Sequence, residues 1–485
     1  MDRYDLIVLG GGSGGLVAGV GAAQLGARVL LIEKKALGGD CLFTGCVPSK
    51  TFIRSARFAA EVRRAGDFGF APIGDLQFKG SDFAAITDRV GRVIKTVGEH
   101  DAPEVFRKQG VEILFGSPRF ISPHEMEVEA ADNPKQRVRA RRFCISTGSR
   151  PATPPVEGLE ETGFITNEEV FHTKKLPTSL IVLGGGPVGV ELGQSFARLG
   201  SEVTIVQRGA RLLPKDDEEA ATELTRCLRD EGINVLLKTE AVCAAQANGH
   251  KTITVKENGA TRELHAEEIL VAAGRRPNTE GLNLEAAGVK YDKQKIVTDE
   301  YLRTTAKHIY AAGDVTGHYL FTHMAAYEAA LVVRNALFFY PLTQKADFRV
   351  VPWATYTDPE VARVGMTEKE AREKYGDGNV RVYRSPFADN DRAHAEEETR
   401  GFAKLVCAGR KEEIVGCTIV GAHAGELIHE VVLAMKHRLS ASALGGLTHV
   451  YPTLTQVTQK AGLDAILASL ARYRPVLSRY FAWRR

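Results

Sequence analysis

Two glycine-rich turns of the same spacing, each framed by apolar runs and followed by a helical run, predict an α/β protein with two Rossmann-type dinucleotide-binding domains. The length agrees, because 485 residues exceed what one ordinary core organises and several domains are expected. Composition is that of a globular chain, 44% hydrophobic and 25% charged, and its 48 glycines suggest close backbone approaches to ligands.

The first unit occupies residues 4–33. The run "YDLIVLG" leads into "GGGSGG", then the helical "GLVAGVGAAQLG", then the apolar "ARVLLIE". Gly10, Gly12 and Gly15 stand in G-x-G-x-x-G register, which permits a tight turn and brings backbone N–H groups to a pyrophosphate at the helix N-terminus. Glu33 ends the second strand, 23 residues after Gly10, where a carboxylate accepts from a ribose hydroxyl.

The second unit, "LIVLGGGPVGVELGQSFARLGSEVTIVQ" (180–207), repeats the device with Gly184, Gly186 and Gly189. Its terminal acid is missing: Gln207 stands where Glu33 stands, with Arg208 beside it and Arg211 three residues on. A carboxylate repels a 2′-phosphate, whereas a neutral amide among guanidinium groups welcomes one. The expectation therefore leans to NADPH, with NADH the alternative, since Gly189 and Gly193 suit either. Two dinucleotide sites in one chain are most economically filled by a flavin and a nicotinamide, between which a hydride passes.

The segment "GGDCLFTGCVPSK" (38–50) places Cys41 and Cys46 five positions apart. In a regular helix that spacing separates the Cα atoms by about 8–9 Å, too far for a disulfide, which wants roughly 4.4–6.8 Å. Gly38, Gly39 and Gly45 relax the backbone, and Pro48 removes a donor where a helix would continue. A zinc site needs two further ligands at matching spacing, and the sequence offers none. The reading is a redox pair; Cys144, Cys227, Cys243, Cys407 and Cys417 are dispersed and read as buried thiols.

Other classes are excluded by bulk properties. Net charge is +3 with no basic block in the main body, which argues against nucleic acid. The most apolar stretch, residues 319–340, carries His323, Glu328 and Arg334 and reads as a buried helix, so no transmembrane segment is expected. Seven cysteines and no apolar leader point to a reducing, cytoplasmic location.

The cysteine segment resembles the "GGTCLNVGCIPSK" signature of the class I pyridine nucleotide–disulfide oxidoreductases, the family of dihydrolipoamide dehydrogenase, glutathione reductase and mercuric reductase. Four further segments resemble that family in order: "CISTGSRPATPPVEG" (144–158), "ILVAAGRRPNTEGLNLEAAGV" (269–289), "IYAAGDVTG" (309–317) and "VPWATYTDPEVARVGMTE" (351–368). The resemblance implies FAD binding by residues 1–150 and 276–345, NAD(P)H binding by 151–275, and a C-terminal α+β dimerisation domain over 346–485. It implies electron flow from NAD(P)H to FAD, to the Cys41–Cys46 disulfide and on to a small-molecule or metal-ion acceptor. Cys46 would be the charge-transfer thiolate beside the flavin, and Cys41 the thiol that attacks substrate. Asp314 would bind the FAD ribitol, and Lys50 and Glu191 would pair near the two reacting rings. Thr147, Gly148 and His323 fall in FAD-contact segments and Gly274 in a nicotinamide-contact segment. A homodimer is implied, the partner completing each active site.

Disulfide-reducing members end in a motif like "HPT-x-x-E", whose histidine shuttles a proton to the exchanging thiols. Here "HVYPTLTQ" (449–456) puts Tyr451 at the histidine position and Gln456 at the glutamate position. Histidine titrates near pH 6.5 and tyrosine near 10, so Tyr451 is a poor base at neutral pH. His449, two residues upstream, reads as a surface histidine. Mercuric reductases also lack that histidine, but the vicinal C-terminal cysteines and N-terminal metal-binding domain of that branch are not found here. Residues 457–485 are basic and aromatic, with Arg472, Arg474, Arg479, Tyr480 and Trp483. They read as a helix packed at the dimer interface, with a membrane-surface or partner-docking role as the alternative. The expected function is that of a mercuric-reductase-like flavoprotein acting on a metal ion such as Hg(II) or another small oxidant. The alternatives are a disulfide reductase with an altered acid–base group, a redox-sensing flavoprotein and a flavin diaphorase.

Overall fold

The computed structural model describes residues 3–71, 80–130, 135–247, 249–471 and 473–485; Arg472 lies outside the described residues. The first glycine turn belongs to a seven-stranded sheet. Its strands are β1 (Arg3–Leu9), β2 (Val29–Glu33), β3 (Val111–Phe115), β4 (Ser117–Ser122), β5 (Glu125–Glu129) and β6 (Gln136–Ile145), with Ile309–Ala311 beside β6. The order is β3-β2-β1-β6-β5-β4. Leu6, Ile7, Val8 and Leu9 of β1 are all fully buried, because parallel neighbours flank the strand and other elements cover both its faces. Helix α1 (Ser13–Gln24) returns from β1 across Gly15, where an added Cβ would sit 1.8 Å from the Gly10 carbonyl oxygen. Only glycine lets helix and turn come this close.

The second turn lies in a four-stranded parallel sheet of order Asn234–Leu237, Glu202–Gln207, Ser179–Leu183, Glu268–Val271. Helix Pro187–Leu199 starts directly after its glycines. The segments that leave and re-enter the first domain pair as a two-stranded ribbon, Ser149–Pro151 against Arg275–Pro277. They cross between domains side by side. The C-terminal part is a five-stranded antiparallel sheet from Pro352–Thr355 to Glu413–Gly421, covered by helices Ala424–Lys436 and Gln456–Ala471. Leu405, Ile419, Ile428, Val431 and Ala461 meet in its core.

One sequence expectation is corrected here. The apolar stretch 319–340 is helical only over Thr322–Leu337, and Phe338, Phe339 and Tyr340 are exposed beyond its end. Pro341 follows them and cannot continue the helix; the C-cap Phe338 is already extended. The tail forms the expected helix, Arg474–Arg484, and its own chain buries none of its residues.

Candidate active site

The redox segment is built by a broken helix. Gly38 and Gly39 adopt φ of +109° and +60°, a short helix α2 (Gly39–Phe43) carries Cys41, and α3 (Cys46–Arg63) begins at Cys46. Between them Gly45 takes φ −114° and ψ −116°, and a Cβ there would lie 2.8 Å from the Asp40 carbonyl oxygen. Pro48 plays a different part from the one expected. It sits in the first turn of α3, where backbone N–H groups have no helical partner, so its missing donor costs nothing. Gly45 makes the break, and the break lets the two thiols meet.

Both cysteines are free thiols in this structure. A hydrogen bond from Cys46 lowers the Cys41 thiol to about 6 against the opposing effect of burial, and the same bond pushes Cys46 well up. The pair thus releases one proton readily and holds the second, so near neutrality it carries one thiolate. Cys46 Sγ lies 3.2 Å from the Thr322 hydroxyl, the first residue of helix Thr322–Leu337. Two helix N-termini therefore converge on the cysteines, a setting that favours thiolate.

These groups line one cavity of about 1040 Å³ that also holds Gly10, Gly12, Glu33, Thr147, Gly148 and Asp314. Lys50 and Glu191 meet on its wall at 2.9 Å, joining the first domain to the helix of the second. Burial alone would discharge Lys50, but the Glu191 carboxylate outweighs it and raises the ammonium above its ordinary range. The Lys50 Nζ also lies 4.4 Å from the centre of the Tyr356 ring, whose backbone N–H donates to Glu191 at 2.8 Å. His323 lines the cavity too, but its Nε2 is engaged with the Pro352 carbonyl at 2.8 Å and burial lowers its pKa, so it stays neutral.

A partly buried network fixes the far wall. Ser149 donates to Asp314 at 2.5 Å, and Arg275 donates to Ser149 at 2.7 Å and to Asp40 at 3.1 Å. Burial raises Asp314, against the opposing effects of Ser149 and Arg275. Asp40, where the family signature carries threonine, thus ties the redox loop to the interdomain ribbon. Thr147 donates its hydroxyl to the Asn278 carbonyl at 2.6 Å, and Gly148 accepts from the Asn278 N–H at 3.0 Å. Gly274 has φ +136° beside the same ribbon.

The residues present suit two dinucleotides. Gly12 and Gly186 are the N-caps of their helices, and neither helix has a side-chain cap, so first-turn N–H groups are free for a pyrophosphate. A Cβ on Gly186 would meet no protein atom within 4 Å, and one on Gly12 only the Gly39 Cα at 3.7 Å. Glu33 accepts from the Gly11 N–H at 2.6 Å and the Lys35 N–H at 2.7 Å. Gln207 makes the matching clasp, accepting from the Gly185 N–H at 3.1 Å and donating to the Arg211 carbonyl at 3.2 Å. Arg208 is exposed beside it. Gly184, Gly189, Gln207 and Arg208 stand outside the main cavity, but Pro187 and Val188 of their helix line it.

Tyr451 is not among the residues lining its own chain's cavity. It is 67% exposed, and its hydroxyl donates to Asp391 at 2.9 Å, a carboxylate that raises the phenol further. Gln456 turns back to accept from the Thr453 N–H. His449 is not the surface histidine expected: its side chain is 8% exposed and bonds Glu430 at 3.0 Å. Thr322, Tyr356, Asp391 and Arg275 were not singled out from the sequence. Of these Arg275 and Tyr356 lie in the family segments quoted above, and Thr322 and Asp391 owe their place to tertiary contact.

Comparison with known proteins accords with this geometry. The family model of the pyridine nucleotide-disulphide oxidoreductases matches residues 4–329, and that family's dimerisation domain matches residues 351–461. The chain is 34% identical over 463 residues to a mercuric reductase of Staphylococcus aureus, covering 95% of this chain and 82% of the relative. It is 37% identical over 471 residues to a dihydrolipoyl dehydrogenase of Thermus scotoductus, covering 95% and 97%. The Cu(II) complex of the HOCl-induced flavoprotein disulfide reductase RclA from Escherichia coli superposes with a TM-score of 0.82 at 28% identity, covering 95% and 99%. With two glycine cradles, a thiol pair between them and matches along nearly its whole length, the chain belongs to the pyridine nucleotide-disulphide oxidoreductase family of FAD- and NAD(P)H-dependent enzymes.

Proposed function

We propose that this enzyme uses NADPH to reduce a soft metal ion, Hg(II) being the type case, at Cys41 and Cys46. The observation that carries this reading is the fate of the acid–base group. Thiol–disulfide exchange expels a thiolate that needs a proton, and a partner titrating near neutrality supplies it best. Here the corresponding position holds Tyr451, committed to Asp391, while His449 is locked to Glu430. A metal ion held by thiolates needs no proton to leave. Two electrons from the nicotinamide convert Hg(II) to the neutral atom, and thiolates are the soft ligands that suit such an ion. The mercuric reductase relatives and the copper-bound structural neighbour support this acceptor class.

In this reading the flavin, when bound, relays two electrons between the nicotinamide and the cysteine pair. Gly10, Gly12 and Gly15 cradle its pyrophosphate, Glu33 receives its ribose, and Asp314 receives its ribityl chain. Lys50 keeps a positive charge beside the reacting groups, held by Glu191. Gly184, Gly186 and Gly189 cradle NADPH; Gln207 leaves room for a 2′-phosphate, and Arg208 meets it. Tyr451, exposed and facing away from its own cavity, completes the Cys41 pocket of a second copy.

The test is the paired substitution Tyr451→His with Gln456→Glu. Restoring an imidazole and its carboxylate should raise turnover of oxidised lipoamide by about 10²–10⁴-fold, the usual worth of general acid–base catalysis. No gain would contradict the account. The competing reading, a disulfide reductase with an unusual acid, draws on the dihydrolipoyl dehydrogenase relatives and requires the unaltered enzyme to turn over lipoamide rapidly.

A further inference from the structure

We propose that the helix Arg474–Arg484 docks the enzyme on an anionic lipid surface. Every residue from Tyr473 to Arg485 is exposed, and the helix buries none of its side chains in the chain that carries it. Its apolar groups are large: Trp483 is 83% exposed, Val476 65% and Tyr473 60%. At 3.6 residues per turn, Tyr473, Val476, Leu477, Tyr480, Phe481 and Trp483 share one arc about 160° wide. Tyr480 lies 5.6 Å from Phe481 and 6.4 Å from Trp483 between ring centroids, so the aromatic side chains form one cluster. Arg474, Arg479 and Arg485 flank that arc. Arg484 falls within it at the helix end, where a long side chain reaches outward to headgroups.

Charge decides the occupant. Residues 465–485 hold five arginines and no aspartate or glutamate, so the surface they contact must supply the negative charge. Tryptophan and tyrosine beside arginine suit the boundary between headgroups and acyl chains. The helix lies on such a surface rather than crossing it. Its 11 residues give a length of about 16 Å against a hydrocarbon core of about 30 Å, and no described helix is long and apolar enough to cross a membrane. A second copy of this chain is a poorer occupant. The matched dimerisation domain ends at residue 461, before this helix begins, and two such helices packed on each other would set arginine against arginine.

The test is flotation of the flavin-loaded protein with vesicles of phosphatidylglycerol and phosphatidylcholine in equal parts, beside vesicles of phosphatidylcholine alone. Binding is expected to the first and not the second, with a blue shift of Trp483 emission that is absent in Trp483→Phe. Each arginine near an anionic surface contributes roughly a five-fold factor in partitioning, so Arg474, Arg479, Arg484 and Arg485 all changed to Gln should lower binding by at least about 100-fold. Binding should also vanish in about 1 M salt, where the screening length shrinks to about 3 Å. NADPH oxidation by the substituted protein should be unchanged, which shows that it folds. Absence of binding at low salt would overturn the proposal, as would binding that survives the arginine changes. So would a dimer that falls apart in the substituted protein by sedimentation, because the helix would then belong to the subunit interface.

Discussion

The two glycine turns are nearly the same object carrying opposite electrostatics. In the first, the Glu33 carboxylate clasps the Gly11 N–H; in the second, the Gln207 amide oxygen clasps the Gly185 N–H in the same way. The added Cβ of Gly15 would stand 1.8 Å from the Gly10 carbonyl, and that of Gly189 2.0 Å from the Gly184 carbonyl. The backbone cradle therefore depends on glycine and on one hydrogen bond that acid and amide both make, at 2.6 Å and 3.1 Å. The side-chain charge at this position therefore differs between the two units without loss of the turn.

The most destructive way to probe that comparison is the matched pair Gly15→Ala and Gly189→Ala. Overpacking costs about 1–3 kcal/mol where neighbours can yield, and backbone carbonyls at these distances yield poorly. Gly15→Ala should be isolated without flavin, whereas Gly189→Ala should keep flavin absorbance and lose NADPH oxidation. Equal flavin loss in both would contradict the division of labour. Next in size is Gln207→Glu, which keeps the clasp and adds a charge. The ratio of kcat/KM for NADPH over NADH should fall by about 10–100-fold, equivalent to roughly 1.4–2.7 kcal/mol. The reverse exchange, Glu33→Gln, should weaken flavin retention by less than about tenfold, because the clasp survives and only a charge-assisted bond to ribose is lost.

A further contrast sets the redox pair, which belongs to the first domain, apart from the thiols elsewhere. Cys41 is lowered to about 6 by its bond from Cys46, whereas burial pushes Cys144 and Cys407 up to about 12. For a thiol, a lowered pKa means that the reactive anion is present above that value and lost below it. The alkylation rate of the reduced enzyme should therefore fall as pH drops through about 6, and Cys144 and Cys407 should stay unmodified at neutral pH. Thr322→Val removes the hydroxyl 3.2 Å from Cys46 Sγ. It should move that midpoint upward by about one to two pH units, since a hydrogen bond to a charged group is worth about 1.5–3 kcal/mol. An unmoved midpoint would leave the lowering to the Cys46 hydrogen bond without help from Thr322.

What the sequence made legible follows from distance along the chain. The glycine registers, the acid-to-amide change and the cysteine pair are local spacings, and each resolves into a turn, a clasp or a broken helix. Thr322 reaches Cys46 across 276 residues and Asp391 reaches Tyr451 across 60, so nothing near either one marks it. His449 shows the same limit from the other side. Its neighbours in sequence suggest the surface, and only the packing of Glu430 against it, 19 residues away, buries it. Of the residues expected to distort this helix, Gly45 makes the break, whereas Pro48, in the first turn of α3, is harmless. The tail helix was legible as helix, but no residue pattern disclosed that its own chain would leave it bare.

The central claim is that this active site has exchanged proton delivery for metal chemistry. The most direct measurement is anaerobic NADPH consumption by the flavin-loaded enzyme, with thiol-bound mercuric ion and oxidised lipoamide offered in parallel. The account predicts turnover on mercuric ion that is lost in Cys41→Ser, with lipoamide slower by orders of magnitude. Rapid lipoamide turnover with none on mercuric ion would contradict it and would make Tyr451, held by Asp391, a working acid in its own right.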